Sequence, residues 1–139
     1  MITQAQIGDL NELYDLECSL FTIEEFRLSK SSIRYHLKYN SIFICKDKNS
    51  IVGYILWLKR KKYFRLYSLG IMEKYRSQGI AKELLEYSFN ILLIDKYRLE
   101  VNCKNYKAIS LYEKYGFVIQ KVLKDYYGIL EDGYLMVKE

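Results

Sequence analysis

The stretch that most constrains this chain is Leu69-Gly70-Ile71-Met72-Glu73-Lys74-Tyr75-Arg76-Ser77-Gln78-Gly79-Ile80-Ala81-Lys82-Glu83-Leu84-Leu85, where an apolar strand enters a short polar turn that opens directly onto an amphipathic helix. Burying one face of that strand beneath one stripe of the helix commits the chain to a layered α/β arrangement. The turn also has a chemical consequence. The first N–H groups of a helix have no intrahelical acceptor and carry the positive end of the peptide dipoles, so a phosphate placed there gains several donors at once. Gly79 would let a phosphate approach the main chain, and Ala81 is the next smallest residue where the helix packs closely. An ordinary strand-to-helix turn is the competing reading of the same residues.

Periodicity places the other elements. Ile2 to Gln6 reads as an edge strand, and Leu10, Leu13, Leu16 and Leu20 recur at helical spacing behind Asp9, a candidate cap, giving a first helix over about 9–19. Phe21 to Phe26 is a connection. Ser29 or Ser31 can cap a second helix bearing Ile33, Leu37 and Tyr39; it also holds His36, whose expected role as the single histidine is structural. Ser41 to Lys46 and Ile51 to Leu58 form a hairpin about the turn cluster Asp47-Lys48-Asn49-Ser50. Tyr63 to Met72 is a third long strand, with Gly70 marking a bulge or the close approach of a ligand to the backbone.

A helix from Gln78 to about Ile94 turns Ala81, Leu84, Leu85, Ser88, Ile91 and Leu92 inward, with Lys82, Glu83, Glu86 and Asn90 facing water. Tyr97 to Cys103 is a strand, Asn105 caps a helix through Tyr115, and Gly116 occupies the left-handed position after it. Phe117 to Leu123 and Tyr134 to Lys138 make a last hairpin. The expected fold is α/β in the α+β sense: one mixed, mostly antiparallel sheet with helices on both faces.

The 139 residues fit a single domain, 1–139, able to bury a core unaided. Cys18, Cys45 and Cys103 are odd in number and lack metal-ligand spacing, and no leader pattern opens the chain; a reducing, cytoplasmic setting without metal is expected. No apolar run approaches the roughly 20 residues of a membrane span. The net charge is +5, and its clearest basic run, Lys59-Arg60-Lys61-Lys62, reads either as a solvated hairpin tip or as an attractor of polyanions.

Arg76, Gly79 and Ala81 match the Arg/Gln-x-x-Gly-x-Gly/Ala nucleotide loop of the GNAT superfamily of acyl-CoA-dependent N-acyltransferases, and Asn105-Tyr106-Lys107-Ala108-Ile109-Ser110-Leu111-Tyr112-Glu113-Lys114-Tyr115-Gly116-Phe117 resembles that family's second signature. The resemblance covers nearly the whole chain and implies a sheet splayed at the cofactor site. It places the main chain of Leu69 and Ile71 against pantetheine and Arg76, Ser77, Gln78, Gly79, Ile80, Ala81 and Lys82 around the pyrophosphate of acetyl-CoA. It also turns Asn105 towards the cofactor arm. Two departures are plain: Glu73 stands where the family often has proline, and Ala81 where it often has glycine.

Alternation along Tyr97-Arg98-Leu99-Glu100-Val101-Asn102-Cys103 sets Glu100 and Asn102 on one face, either solvated or turned into a covered site. Leu99-Glu100-Val101 followed by Tyr112 resembles the RimI-type N-terminal acetyltransferases, which implies Glu100 as base, directly or through water, and Tyr112 as acid. A tyrosine of pKa about 10 would protonate a thiolate of about 8.5 modestly uphill. The tail from Lys124 to Met136 is similar to that of protein N-terminal acetyltransferases, with Tyr126 and Tyr127 clamping the acceptor backbone. The opposite wall maps to Phe21 to Phe26, with Glu24 or Glu25 near the incoming terminus; loop aromatics closing a core edge are the plain alternative.

An α-amine of pKa about 7.7–8.0 is neutral in about a tenth of molecules at pH 7, against fewer than about one in a thousand for lysine. The expected activity is acetyl transfer from acetyl-CoA to a primary amine, foremost a protein N-terminus, by direct attack in a ternary complex. Alternatives are a small-amine acetyltransferase acting on a polyamine, amino sugar or amino acid, and a catalytically silent acetyl-CoA-binding module. The partners expected are acetyl-CoA and the amine acceptor, with no nucleic acid and no membrane, from a monomer or weak dimer.

Overall fold

The computed structural model describes the backbone of residues 1–139 and every side chain except that of Glu24. In chain order the elements are β1 (Ile2–Gln4), α1 (Leu10–Leu20), α2 (Lys30–Leu37), β2 (Ile42–Asp47), β3 (Ser50–Lys59), β4 (Phe64–Ile71), α3 (Ile80–Leu92), β5 (Tyr97–Asn102), α4 (Tyr106–Lys114), β6 (Val118–Leu123) and β7 (Gly133–Lys138). That is the order the periodicity predicts. The residues group into two compact units, Met1–Lys59 with Ser68–Leu93 and Arg60–Tyr67 with Ile94–Glu139, so β4 contributes its second half to the first unit and its first half to the second.

In the first unit the strands lie in the order β1-β2-β3-β4. Antiparallel β1 and β2 pair at Thr3↔Ile44, and β2 and β3 at Ile44↔Tyr54. The β2–β3 turn places Lys48 and Asn49 at φ 51° and 68°, the doubly left-handed geometry that suits the strand twist. Every residue of β3 from Ile51 to Leu58 is buried because helices cover both faces. On the Tyr54 side the Tyr54 hydroxyl donates to Glu17 of α1. On the other, Trp57 Nε1 donates to Ser88 Oγ of α3 at 2.9 Å, and the Phe43 ring meets Tyr87 of α3 edge-on at 5.2 Å.

Several local expectations shift. Asp9 does not cap α1 with its side chain; it accepts the Gln6 N–H at 2.8 Å, closing the 3-10 turn Ile7–Asp9, and pairs with Lys46 at 3.3 Å. Ser29 caps α2 by accepting from the Ser32 N–H, while Tyr39 falls beyond the helix. His36 is buried, edge-on to Tyr35 at 5.1 Å. Helix α3 starts at Ile80, not Gln78, because Gly79 is left-handed at φ 84°. Its inner stripe is Ile80, Leu84, Leu85 and Ser88; Ile91 shares their angular face but lies in the last turn, where burial has given out and it is 46% exposed.

Gly70 marks a close approach: a Cβ there would stand 2.7 Å from Leu20 Cδ1 and 3.0 Å from the Tyr54 ring, so the glycine admits the end of α1 against β4.

In the second unit the order is β4-β5-β7-β6. Strands β4 and β5 are parallel, paired at Phe64↔Tyr97, Arg65↔Arg98 and Leu66↔Leu99, whereas β5 and β7 are antiparallel with Glu100↔Leu135. Strands β6 and β7 pair antiparallel at Val122↔Tyr134. Tyr97, Leu99 and Val101 are buried, and Arg98 and Glu100 occupy the other, half-buried face, as alternation requires. Asn105 caps α4 by accepting the Ala108 N–H at 3.2 Å, and Gly116 at φ 96° turns the chain back into β6.

Candidate active site

The phosphate-cradle candidate belongs to the first unit. After β4 the chain makes a 3-10 turn over Glu73–Tyr75, so the glutamate found where the related loops carry proline opens that turn. Arg76 Nε donates to the Ile71 carbonyl at 3.0 Å and Gln78 Nε2 to the Lys74 carbonyl at 3.4 Å, tying the loop to its own entry. Ser77 at φ 65° and Gly79 at φ 84° then turn the chain sharply into α3. The first helical bond is Glu83 N–H to the Gly79 carbonyl at 3.0 Å, so the N–H groups of Ile80, Ala81 and Lys82 head the helix without intrahelical acceptors. A Cβ at Gly79 would meet nothing within 4 Å, so the glycine borders open space beside the start of α3. Ser77, Gly79, Ala81 and Lys82 belong to this turn and first helical turn, Arg76 and Gln78 tie the loop to its entry, and unpaired N–H groups at a helix start are of the kind that bind phosphate. Ile80 is buried and packs by its Cγ2 toward Gly53, so only its main chain is left for a ligand. Leu69 and Ile71 are half-buried on the same side of β4, and the Ile71 carbonyl is already taken by Arg76.

The candidate reacting groups belong to the second unit. Glu100 of β5 receives two donors from Arg65 of β4 on a single oxygen, Oε1: Nε at 2.6 Å and Nη2 in a closer ion pair. Arg65 Nη2 also reaches the Tyr126 hydroxyl at 3.5 Å, and its guanidinium lies 5.4 Å from the centre of the Tyr67 ring. Tyr126 and Tyr127 stack edge-on at 4.9 Å. The Tyr127 hydroxyl is pushed well above the ordinary tyrosine value, first by burial and then by Tyr126, Glu100 and Tyr112, with Arg65 pulling the other way. Tyr126, Glu100 and Tyr112 thus all lie within electrostatic range of the Tyr127 hydroxyl.

Tyr112 is 9% exposed, edge-on to Phe117 at 5.9 Å, and burial pushes its hydroxyl up to about 12. The ordinary value of about 10 expected from sequence therefore does not hold, because α4 seats the phenol in an apolar surrounding.

The loop carrying the two tyrosines is organised by its own polar groups. Asp132 Oδ1 accepts the Asp125 N–H at 2.9 Å, Asp125 Oδ1 accepts the Leu130 N–H at 2.8 Å, and the Glu131 carbonyl accepts the Tyr127 N–H at 3.0 Å. Gly133 explains the Asp-Gly pair: a Cβ there would stand 2.8 Å from Tyr127 Cε2 and 3.3 Å from the Val101 carbonyl, so glycine lets the Tyr127 ring lie against the strand.

Among the acceptor-wall candidates, Phe21 is half-buried. Glu25 accepts the Thr22 N–H at 2.9 Å and so caps the 3-10 turn Ile23–Glu25. The Glu24 side chain lies outside the described residues.

Two polar residues escape the sequence reading. Glu17, 1% exposed, accepts from the Tyr54 hydroxyl, from Ser68 Oγ at 2.8 Å and from the Leu28 N–H at 2.9 Å. Its signal was available: it falls on the Leu13, Leu16, Leu20 stripe, an acidic residue where an apolar one is expected. Arg65 is the other, and the alternation Phe64-Arg65-Leu66-Tyr67-Ser68 already sets it on the face opposite the apolar residues.

A family model described as an acetyltransferase (GNAT) domain matches residues 38–119. An N-alpha-acetyltransferase of Saccharolobus solfataricus is 40% identical over 123 residues, 74% of this chain and 72% of that protein. The ribosomal-protein-S18-alanine N-acetyltransferase of Escherichia coli superimposes with a TM-score of 0.83 at 22% identity, covering 99% of this chain and 92% of the other. Arabidopsis thaliana Naa50, solved with the bisubstrate analogue CoA-Ac-MVNAL, gives 0.83 at 22% identity over 100% and 97% of the two chains. The two structural likenesses establish the mixed α/β fold, and the family match, spanning more than half the residues together with both loop signatures, makes this chain a member of the GNAT acetyltransferase family.

Proposed function

We propose that this protein is an acetyl-CoA-dependent N-α-acetyltransferase that acetylates protein N-termini in the manner of the RimI-type enzymes. The observation that carries the reading is that Arg65 contacts both the Glu100 carboxylate and the Tyr126 hydroxyl, with Tyr126 edge-on to Tyr127, which gathers a carboxylate and an aromatic pair; Glu100 and Tyr112 also act on the Tyr127 hydroxyl. The 40% identical relative named N-alpha-acetyltransferase supports the class of acceptor.

Acetyl-CoA supplies the acyl group as a thioester. The main-chain donors of Ile80, Ala81 and Lys82 and the space over Gly79 hold its diphosphate. Leu69 and Ile71 line the pantetheine arm, while Asn105, whose Oδ1 is committed to capping α4, can offer that arm its amide N–H groups. Glu100 takes one proton from the acceptor amine, directly or through water, as the new N–C bond forms. Tyr112 gives a hydrogen bond, and finally a proton, to the sulfur as the C–S bond breaks, so the amide and the free thiol leave with charge balanced. Tyr126 and Tyr127 hold the acceptor backbone, and the family resemblance also assigns Phe21, Glu24 and Glu25 to acceptor binding. Residues 1–139 act in this reading as one transferase domain, a cytoplasmic monomer or weak dimer that uses no metal.

The test is turnover of acetyl-CoA with a panel of short peptides of varied first residue beside polyamines, amino sugars and free amino acids, the acetylated nitrogen being located by mass spectrometry. Acetylation on the peptide α-nitrogen is expected. Turnover of free amines with none on peptides would instead assign a small-molecule acetyltransferase, and cofactor binding with no thiol release from any amine would assign a silent binding module.

A further inference from the structure

Glu100 is not a solitary carboxylate. Strands β4 and β5 run parallel with Arg65 opposite Arg98, so Arg65 and Glu100 share a face, two residues apart along the register, a diagonal that a long side chain spans. Both Arg65 contacts fall on Glu100 Oε1, from Nε and Nη2, so the guanidinium holds that one oxygen with two donors and makes no contact with Oε2. Arg65 is itself braced against the Tyr67 ring and reaches the Tyr126 hydroxyl at the outer limit of a hydrogen bond.

We propose that Arg65 is the positioning residue of the catalytic base: by occupying Oε1 it fixes the Glu100 carboxylate and assigns proton acceptance to Oε2. This rests on the reading of Glu100 as the base. Arg65 touches neither the acceptor nor the thioester in this assignment; it acts on the proton transfer through Glu100, and its contact with Tyr126 lies at the outer limit of a hydrogen bond. Lysine could not take its place in full, since an ammonium contributes a point charge without two fixed donors on Oε1.

The test is steady-state kinetics on the full chain with a short acceptor peptide and acetyl-CoA, for Arg65→Gln, Arg65→Lys, Glu100→Gln and the Arg65→Gln/Glu100→Gln pair, with thermal unfolding to establish that each variant is folded. Misplacing a reacting group by about 1 Å costs on the order of 100-fold, so kcat should fall about 10- to 100-fold in Arg65→Gln and recover in part in Arg65→Lys. KM for acetyl-CoA should stay within about twofold of wild type. The double variant should be no slower than Glu100→Gln alone, because there is then no base left to position. A slow Glu100→Gln enzyme beside an Arg65→Gln enzyme at wild-type kcat, or losses that multiply in the double variant, would overturn the role of Arg65 while leaving the base in place. A Glu100→Gln enzyme as fast as wild type would overturn the base reading and, with it, the role of Arg65.

Discussion

Replacing Tyr112 by phenylalanine removes a single oxygen from a side chain that stays packed on Phe117, and the depth of its burial sets the size of the effect. With its hydroxyl pushed up to about 12, Tyr112 is a weaker acid than an exposed tyrosine. Complete transfer of its proton to a thiolate of pKa about 8.5 crosses roughly 3.5 pH units, about 5 kcal/mol at 1.36 kcal/mol per unit, whereas an ordinary tyrosine would face about 2 kcal/mol. The useful part of the interaction is therefore a hydrogen bond that strengthens as charge gathers on sulfur, worth about 1.5–3 kcal/mol to a charged acceptor. Tyr112→Phe should accordingly lower kcat about 10- to 150-fold, at the low end of or below the 10²–10⁴ ordinarily associated with general acid catalysis, with the dissociation constant for acetyl-CoA unchanged.

The sign of the pH effect follows from the same shift. A raised pKa keeps Tyr112 protonated, and so able to donate, through pH 10, and kcat should show no alkaline decline from this group below about pH 11. Quantifying acetylated peptide by mass spectrometry between pH 7 and 10.5 in both enzymes is the assay. Wild-type kcat in Tyr112→Phe would remove the residue from the mechanism, and an alkaline limb near pH 10 that vanishes in the variant would refute the assigned burial.

Glu17→Ala leaves the Tyr54 hydroxyl, Ser68 hydroxyl and Leu28 N–H without their buried acceptor; since Tyr54 and Ser68 lie 3.2 Å apart and can satisfy each other in part, about two orphaned donors remain. At about 1–3 kcal/mol each the loss is roughly 2–6 kcal/mol, read by urea unfolding, and a loss below about 1 kcal/mol would contradict the network. Gly79→Val places a β-branched residue at φ 84° and a side chain in the open space at the N-cap of α3. It should cost about 1–2 kcal/mol of stability and weaken CoA binding at least about tenfold by calorimetry, and normal affinity would contradict the cradle.

The parts of this molecule that the sequence announces are those whose cause is local. The alternating burial of β4 and β5 and the capping of α4 by Asn105 can be read from neighbours a few residues apart, because a period of two, a period of 3.6 and a short polar cap are properties of the chain itself. Where partners come from far along the chain, local pattern leaves the cause open. Gly70 marks a close approach, and that Leu20 and Tyr54 are the groups that crowd it is invisible from the strand alone. Tyr112 was assigned an ordinary acidity because desolvation belongs to the packed site and not to the phenol.

Glu17 breaks its local pattern, an acid on an apolar stripe, whereas Arg65 keeps the alternation of its strand and is a cation on a face that packing half-buries. Burying either without compensation would be costly, so each demands a partner of opposite character: three donors for Glu17 and a carboxylate for Arg65. A charged residue that folding removes from water thus carries a definite structural debt, and for these two residues the debts meet strand β4, one at Ser68 and the other at the Arg65–Glu100 pair that begins on it.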